Sequence, residues 1–284
     1  ADARRRRLSR RMRRVSLRRG LLLLAAVAIL PLALMSGVAL QALLEQQRAQ
    51  TEQSSLDLSR ALATAVDNEL RLTISALQAL ASAEPLDEDG APDVDAAYRL
   101  AQRVAASRPE WRAVLLTDPA GKVIFSTARA LVSPPAAVSE PDSLAQVVRS
   151  RAPVVGSLAF GALGNGGVPV RVPVLHHGEL RFVLSAVVKP SAILEVVNRQ
   201  RVPADWIVSI FDSKDVRIAR SRDQNNAIGT RPTPSLQALL DRKLDEVVGR
   251  TTALEGDRVM TAVTRLKSSG WTVATLAGKR LRIC

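Results

Sequence analysis

Cysteine, histidine and aromatic residues are scarce in this 284-residue chain, which contains one cysteine, two histidines and 3% aromatic residues. A single cysteine, Cys284, can form no intrachain disulfide and no cysteine-based metal site, so stability must come from apolar burial. Nucleic-acid-binding surfaces combine basic stripes with interleaved aromatic side chains, and this composition supplies few of the latter. We therefore expect no nucleic-acid partner, no metal and no other cofactor.

The positive charge of the chain is concentrated at its N-terminus. The formal net charge is +13, of which residues 1–19 contribute +9, so the remaining 265 residues have the charge of an ordinary soluble domain. Anionic lipid headgroups attract such basic tails. The tail contains ten arginines: Arg4, Arg5, Arg6, Arg7, Arg10, Arg11, Arg13, Arg14, Arg18 and Arg19.

Residues 20–44 form an apolar run without a single charge. A bilayer core needs roughly 20 apolar residues as helix, so the run predicts one transmembrane helix, with lipid as its partner. The arginines precede it and Glu45 follows it, which by the positive-inside rule predicts a cytoplasmic tail over 1–19 and an extracytoplasmic region from Glu45 onward. A cleaved signal peptide is the alternative, but the run exceeds the usual apolar segment of about 7–15 residues.

Residues 45–84 predict a long stalk helix. Between Glu45 and Ala83 there is no proline or glycine, and Leu62, Val66 and Leu70 recur at helical spacing. The apolar stripe needs a partner, which is either the stalk's own domain or the stalk of a second copy. Geometry favours a homodimer through the stalk, because its membrane-proximal turns, with Leu56, Leu58 and Leu62, extend away from any module attached further out.

Two similar modules follow, over residues 85–189 and 190–277. Each combines helices with β-hairpins, which predicts an α+β fold with antiparallel sheets. The pattern predicts a strand over 154–160 and a helix over 235–247. A strand–turn–strand segment recurs at offsets of 94 and 95 residues, which indicates two sibling modules. The equivalent positions are Trp111, Asp118 and Thr127 in the first segment and Trp206, Asp212 and Ser221 in the second.

No catalytic constellation is evident, so we expect no enzymatic activity in this chain. The glycine-rich stretch 161–167 lacks the spacing and the lysine of a phosphate-binding loop. His176 and His177 are adjacent in a predicted turn and have no third nitrogen or sulfur ligand for zinc. An extracytoplasmic hydrolase is the enzymatic alternative, and the lack of a paired nucleophile and base disfavours it.

The order of several short motifs resembles the double Cache sensor regions, which are PAS-like, of bacterial membrane histidine kinases. The resemblance covers about residues 1–277 and depends on that order, since each motif alone is unspecific. The motifs are Arg-Pro-Glu-Trp111, Leu-Leu-Thr-Asp118-Pro-Ala-Gly121, Ala-Pro-Val-Val-Gly156-Ser157, Val172-Pro173-Val174, Ile218-Ala-Arg220-Ser221 and Ser269-Gly270-Trp271-Thr-Val273.

This resemblance implies a membrane-anchored periplasmic sensor in the bacterial inner membrane. It makes residues 85–189 the membrane-distal Cache module and residues 190–277 the membrane-proximal one. The chain would be the input region of a two-component histidine kinase, or of a related chemoreceptor or cyclic-di-GMP-type receptor. Residues 278–284 would be a remnant where a second membrane helix and output domains normally follow, as in a truncated or frameshifted receptor. A stand-alone anchored sensor is the alternative. An anchored scaffold or adhesion module without ligand is the alternative from another class.

The resemblance also implies a small-molecule site in the distal module. Converging guanidinium groups suit an anionic ligand such as a carboxylate or phosphate. The amino-acid-binding signature of some double Cache sensors, Arg-x-Trp-Tyr, has no clear counterpart near residues 149–153. The candidate ligand-binding residues are Trp111, Arg112, Arg129, Arg149, Arg151 and Arg171.

Overall fold

The structure is a computed structural model, and it describes residues 17–87, 93–131, 138–161 and 164–278. Most of the predicted basic tail and of the C-terminal remnant therefore lies outside the described residues. The helices are α1 (Leu17–Ala81), α2 (Glu84–Asp87), α3 (Val94–Ala106), α4 (Pro141–Ser150), α5 (Pro190–Asn198), α6 (Gln224–Ala227) and α7 (Pro234–Leu240). The strands are β1 (Trp111–Thr117), β2 (Val123–Ser126), β3 (Val154–Val155), β4 (Ala159–Phe160), β5 (Gly166–His176), β6 (Glu179–Val188), β7 (Trp206–Phe211), β8 (Arg217–Arg220), β9 (Glu246–Thr252), β10 (Arg258–Arg265) and β11 (Thr272–Gly278).

Helix α1 is continuous over 65 residues and includes both the predicted membrane segment and the predicted stalk. The chain divides into two compact units, residues 1–50 and residues 51–284. Within the first unit, the side chains of residues 17–28, 31–33 and 48 lie outside the described part of the structure. In the part that is described, no helix is long and apolar enough to cross a membrane.

The first sheet is antiparallel and contains β1 to β6. Its strand order is β2-β1-β6-β5-β3, and β4 pairs with β5. Side chains alternate between its faces, so the valines at 168, 170, 172 and 174 line one buried face of β5 while Pro169, Arg171 and Pro173 lie on the other. The valine face packs on α1 and α3 in the main core, and α4 covers the opposite face.

The second sheet, in the order β8-β7-β11-β10-β9, is also antiparallel. One face joins the same core through Val208, Ile210 and Val273, and the other packs with α7 around Phe211. The α+β class with two antiparallel sheets is thus confirmed.

The predicted duplication is visible in the local geometry of the two sheets. Thr127 Oγ1 accepts the Val114 amide at 2.9 Å in the first, and Ser221 Oγ accepts the Val208 amide at 2.9 Å in the second. The two turns also match, with φ of 90° at Gly121 and 58° at the equivalent Asp215. An aspartate tolerates this left-handed conformation better than most residues, as the sequence comparison of the two turns predicts.

Within the second unit, α1 packs on both sheets. The Trp111 indole Nε1 donates to Thr73 Oγ1 at 3.4 Å, Ser59 Oγ donates to the Val273 carbonyl at 3.2 Å, and the Ser55 carbonyl accepts from Thr275 Oγ1 at 2.8 Å. Leu62 is fully buried by its own chain. The expectation that Leu62 needs the stalk of a second copy is therefore wrong, because the modules reach this part of the helix.

Two sequence-based boundaries differ from the structure. The predicted strand over 154–160 is split into β3 and β4, because Gly156 bonds through its amide to the Pro169 carbonyl and then leaves the ladder. The predicted helix over 235–247 ends at Leu240, where Lys243 takes a φ of 52°, and residues from Glu246 onward are already strand. In both cases pairing with a following strand, β5 in the first and β10 in the second, overrides the local pattern.

Candidate ligand-binding site

A buried polar cluster lies on the α4-covered face of the first sheet. Arg171 and Ser185 are direct cross-strand partners on β5 and β6. Helix α4 begins after Glu140, whose carboxylate accepts the Ser143 amide as the N-terminal cap. The sheet thus supplies Arg171 and Ser185, the start of α4 supplies Glu140 and Ser143, and we call these four residues the Arg171 cluster.

Every nitrogen of the Arg171 guanidinium has an acceptor within the cluster. Nε donates to Ser143 Oγ at 2.7 Å, Nη1 to Ser185 Oγ at 2.9 Å and Nη2 to the Glu140 carbonyl at 2.8 Å. Ser143 Oγ in turn contacts the Glu140 carboxylate, whose Oε2 lies 3.9 Å from Arg171 Nη2. The cluster therefore holds the Arg171 guanidinium in a fixed position, with the Glu140 carboxylate of the same chain as its counter-ion.

The Arg171 cluster is almost fully removed from solvent. Arg171 is 2% exposed and Glu140 7% exposed. Burial lowers the pKa of Arg171 to about 10, and the neighbouring Glu140 charge opposes that shift. A buried ion pair is costly to break, because the partner left behind is an uncompensated charge.

The start of α4 also contacts the second module. Lys214, in the turn between β7 and β8, donates to the Asp142 carboxylate, and its Nζ lies 3.8 Å from Glu140 Oε1. The hydrogen bond to Asp142 raises the pKa of Lys214, and the same bond lowers the pKa of Asp142. Glu140 therefore lies between a buried arginine of the first module and a lysine of the second.

The loop after β3 adds three further contacts between the modules. The Gly156 carbonyl accepts from the Trp271 indole at 3.4 Å, Ser157 Oγ is 3.3 Å from Ser213 Oγ, and the Leu158 amide donates to Asp212 Oδ2 at 2.9 Å. This loop runs close to the cluster, since a Cβ on Gly156 would lie 2.7 Å from Ser143 Oγ and 2.9 Å from Glu140 Oε2. Only glycine fits there without displacing the cluster.

The structure does not bring the six predicted site residues together. Trp111 is buried against α1, and Arg112, the next residue of β1, lies on the opposite face of the strand, where its Nη2 donates to the Gly166 carbonyl at 3.2 Å. The Arg129 carbonyl accepts from the Tyr98 hydroxyl at 2.8 Å. Arg149 is exposed at the end of α4.

Arg151 and Arg171 contact opposite ends of α4, Arg151 at its C-terminal end and Arg171 at its start. Arg151 ends α4 in a left-handed conformation with φ of 49°, and it joins the helix to the β5–β6 turn by bonds to the Gly178 carbonyl at 2.9 Å and to Glu179 at 3.1 Å. Of the six, Arg171 alone belongs to the buried cluster. Sequence reasoning missed Glu140, Ser143 and Ser185.

Among the described residues of this module, the remaining sequence features form no second polar cluster. His176 and His177 contact each other beside the β5–β6 turn, with ring centroids 4.2 Å apart. Across the described ranges, no three or more histidine, cysteine, aspartate and glutamate side chains are grouped to hold a metal ion. Part of the glycine-rich stretch, residues 162–163, lies outside the described residues. A wide, open cleft of about 820 Å³ between α2 and α3 includes Arg99 and Arg103.

The two-sheet fold with a long N-terminal helix is the fold of the double Cache sensor domains, as the sequence motifs predict. No protein-family model matches the sequence. No curated protein matches it either. The similarity to known proteins is therefore a similarity of structure.

Three solved sensor domains illustrate this similarity. The extracellular domain of a putative histidine kinase, rpHK1S-Z16, has a TM-score of 0.62 at 14% identity, over 82% of this chain and 96% of that one. The Campylobacter jejuni chemoreceptor Tlp3 domain with L-valine has a TM-score of 0.59 at 13% identity, over 82% and 95%. The Pseudomonas aeruginosa PAO1 chemoreceptor PctB domain with L-Arg has a TM-score of 0.62 at 12% identity, over 81% and 96%.

Proposed function

We propose that this chain is a membrane-anchored extracytoplasmic sensor of a small anionic molecule, the input region of a histidine kinase or related receptor. The fold supports this role, because the neighbours are sensory domains of such receptors. The observation that carries the proposal is the Arg171 cluster, a buried guanidinium on the helix-covered face of the distal module. No residue arrangement in the described part indicates catalysis, so the chain would act by binding.

The proposed ligand is a carboxylate that competes with Glu140 for Arg171. A guanidinium group binds a carboxylate best through two parallel hydrogen bonds. Glu140 Oε2 lies 3.9 Å from Arg171 Nη2, which is too far for such a bond. A ligand carboxylate with better geometry would replace an internal contact that is already imperfect. The other five residues predicted from the sequence lie outside the cluster and would not bind the anion. They are Trp111, Arg112, Arg129, Arg149 and Arg151.

Displacement of Glu140 gives a route to the second module. Glu140 and Asp142 flank the start of α4, and both face Lys214 in the β7–β8 turn. A ligand that moves Glu140 would change the distance between the Glu140 carboxylate and the Lys214 ammonium group, and would therefore alter the contact between the modules. Helix α1 hydrogen-bonds to both sheets, so it would be the element that receives the change. The size of the response is limited by the ratio of ligand affinities for the two arrangements.

Anchoring by residues 20–44 is part of the proposal. The described side chains in this run are exposed although they are large and apolar, which suits a lipid environment. The exposed residues are Ile29, Leu30, Leu34, Met35, Val38, Leu40, Leu43 and Leu44. A periplasmic reporter enzyme fused after Gln50 should be active, and the same fusion before Arg4 should be inactive. The opposite result would reverse the proposed topology.

We also propose that the protein forms a homodimer through the N-terminal part of the stalk, residues 45–54. From Ser55 onward one side of α1 is covered by its own modules, so a seam must use earlier turns or the outer side of the helix. Single cysteines placed one at a time at each position from 45 to 54, in a Cys284→Ser background, should crosslink in membranes with a helical periodicity. Equal crosslinking at every position, or none, would argue against the seam.

A thermal-shift screen of the full chain in detergent micelles tests the ligand proposal. The panel contains acetate, succinate, citrate, L-valine, L-isoleucine and L-arginine, the last three because solved neighbours bind them. A ligand at about 100 times its dissociation constant should stabilise the fold by roughly 2.7 kcal/mol. Arg171→Met should abolish the shift, and Arg149→Met, on the exposed end of α4, should keep it. If no panel member binds, the scaffold alternative gains support. If a ligand binds the Arg171 variant normally, the Arg171 cluster is not its binding site.

A further inference from the structure

The Arg171 cluster is closed to solvent. Arg171 and Ser143 are both buried, so an anion can reach the Arg171 guanidinium only after a neighbouring element has moved. Two elements meet beside it. One is the start of α4, and the other joins β3 to β4 over residues 156–158, which we call the β3–β4 segment. They are in close contact, because a Cβ on Gly156 would lie 2.7 Å from Ser143 Oγ and 2.9 Å from Glu140 Oε2.

The second module holds the β3–β4 segment in place. The contact is made by the turn between β7 and β8, residues 212–215, which we call the β7–β8 turn. Asp212 Oδ2 accepts the Leu158 amide at 2.9 Å. Ser213 Oγ lies 3.3 Å from Ser157 Oγ. Because Asp212 is fully buried, its bond to the Leu158 amide is a charge-assisted hydrogen bond away from water, which is stronger than one between neutral groups.

The same turn also contacts the start of α4. Lys214 donates to the Asp142 carboxylate, and its Nζ lies 3.8 Å from Glu140 Oε1. Half of the Lys214 side chain is exposed, so solvent screens these charges. The Asp212 carboxylate is buried, so water screens its bond with the β3–β4 segment much less. One turn of the second module thus contacts both elements that meet beside the guanidinium, and its firmest contact is the one made by Asp212.

The equivalent turn of the first module shows that this contact is not needed to close the turn. Asp118 closes its turn by accepting the Lys122 amide at 2.8 Å with Oδ1. Asp212 closes its own turn in the same manner, with Oδ1 accepting two amides at 2.9 Å. Among the described residues, Asp118 accepts no amide from the other module, whereas Asp212 accepts Leu158 through its second oxygen. The second oxygen of Asp212 therefore serves the interface between the modules.

We propose that the β7–β8 turn of the second module is a gate for the anion site of the first. While the bond between Asp212 and Leu158 is made, the β3–β4 segment and the start of α4 enclose the Arg171 guanidinium. When the bond breaks, the segment moves away and the guanidinium becomes accessible. The fraction of molecules with the gate open then sets the apparent anion affinity, so the second module controls binding in the first. This inference rests on the proposed function in taking an anion as the ligand, but the opening of the gate is measurable without one.

Modification of Arg171 by phenylglyoxal, an arginine-selective reagent, measures the opening of the gate in the full chain in detergent micelles. Peptide mass spectrometry gives the modification rate, which is normalised to that of the exposed Arg149. Asp212→Asn keeps an oxygen that can close the turn and loses the acceptor of the Leu158 amide. It should speed the modification of Arg171 by about tenfold or more, because a hydrogen bond to a charged group is lost. Asp118→Asn, the matched change in the equivalent turn, should leave the Arg171 rate unchanged.

A reversible cross-link tests the gate in the opposite direction. Ser157→Cys combined with Ser213→Cys, in a Cys284→Ser background, places two thiols where the hydroxyl oxygens lie 3.3 Å apart. Their disulfide should hold the gate shut, so Arg171 should be modified at least about tenfold more slowly in the oxidised protein than in the same protein after reduction. Neither measurement uses a ligand, so failure here is distinct from failure of the thermal-shift screen. The proposal is overturned if the two aspartate variants give the same Arg171 rate, or if the oxidised and reduced proteins do.

Discussion

Replacing Glu140 by glutamine should reveal the cost of burying Arg171. The guanidinium is 2% exposed, and the Glu140 carboxylate, 3.9 Å from Nη2, is its counter-ion. Removing one partner of a buried pair costs about 3–5 kcal/mol in general. Here the Ser143, Ser185 and Glu140 carbonyl contacts remain, so we expect a loss of about 2–3 kcal/mol. For a unit of this size the melting temperature falls by about 2–4 °C per kcal/mol, which predicts a decrease of roughly 5–10 °C.

The same argument predicts that the double variant recovers part of this loss. Arg171→Met alone should also destabilise the protein by about 2–3 kcal/mol, because it leaves Glu140 buried with only Lys214 nearby. Glu140→Gln with Arg171→Met removes both charges, and replacing a whole buried pair is often nearly neutral. The two single losses sum to about 4–6 kcal/mol and the double variant should lose no more than one of them, so the coupling energy of the double-mutant cycle should be at least about 2–3 kcal/mol.

Urea unfolding of the four proteins, followed by circular dichroism in the same micelles, measures this cycle. A control pair, Arg151→Met and Glu179→Gln, has the same chemistry on the exposed hairpin turn and should give a coupling below about 1 kcal/mol. Additive single effects at Glu140 and Arg171 would refute the buried-pair reasoning. A more stable Glu140→Gln variant would refute it as well.

Three further predictions concern packing and charge. Gly156→Ala should destabilise the protein by about 1–3 kcal/mol in urea unfolding, because its Cβ would lie 2.7 Å from a buried hydroxyl, whereas Gly161→Ala meets its nearest atom at 3.9 Å and should be tolerated. Leu62→Ala, at 0% exposure, should cost about 2–5 kcal/mol, whereas Leu72→Ala, at 56% exposure, should cost little. The hydrogen bond from Lys214 lowers the pKa of Asp142, so the Asp142 carboxyl should titrate below the ordinary 3.8 in a ¹³C NMR titration. In Lys214→Met its pKa should return toward 3.8. The stability that this pair contributes is present above the unfolded-state pKa of Asp142 and is lost as the pH falls through its folded-state pKa.

The parts of the fold that the sequence predicts best are those fixed by local chemistry. The hairpin turn at Asp118 depends on a carboxylate that accepts the Lys122 amide at 2.8 Å and on Gly121 in left-handed geometry, so four residues determine it. The equivalent turn at Asp212 accepts the Lys214 and Val216 amides in the same manner. Such contacts are read from neighbouring residues, and both turns are where the sequence predicts them.

The parts that the sequence does not predict depend on contacts far along the chain. Glu140 is 31 residues from Arg171, and its preceding loop gives no periodic pattern that places it near β5. Arg171 itself carries a usable signal, because it interrupts a strand of alternating valines on the opposite face. The length of helix that the modules cover was also not predicted, since the Ser59 contact to Val273 joins residues 214 apart. Sequence spacing alone contains no information on such approaches.

The position of Glu140 also determines how strongly the two modules can be coupled. If an anion at Arg171 weakens the Glu140–Lys214 contact, thermodynamic linkage requires that loss of this contact changes anion affinity by the same factor. The Lys214 contact with Glu140 is long, at 3.8 Å, and half of the lysine side chain is exposed, so solvent screens it. We therefore expect Lys214→Met to change anion affinity by only a few fold, in either direction. A change of a hundredfold or more would mean that the modules communicate through a larger rearrangement of the α4 start than the charge contacts alone can supply.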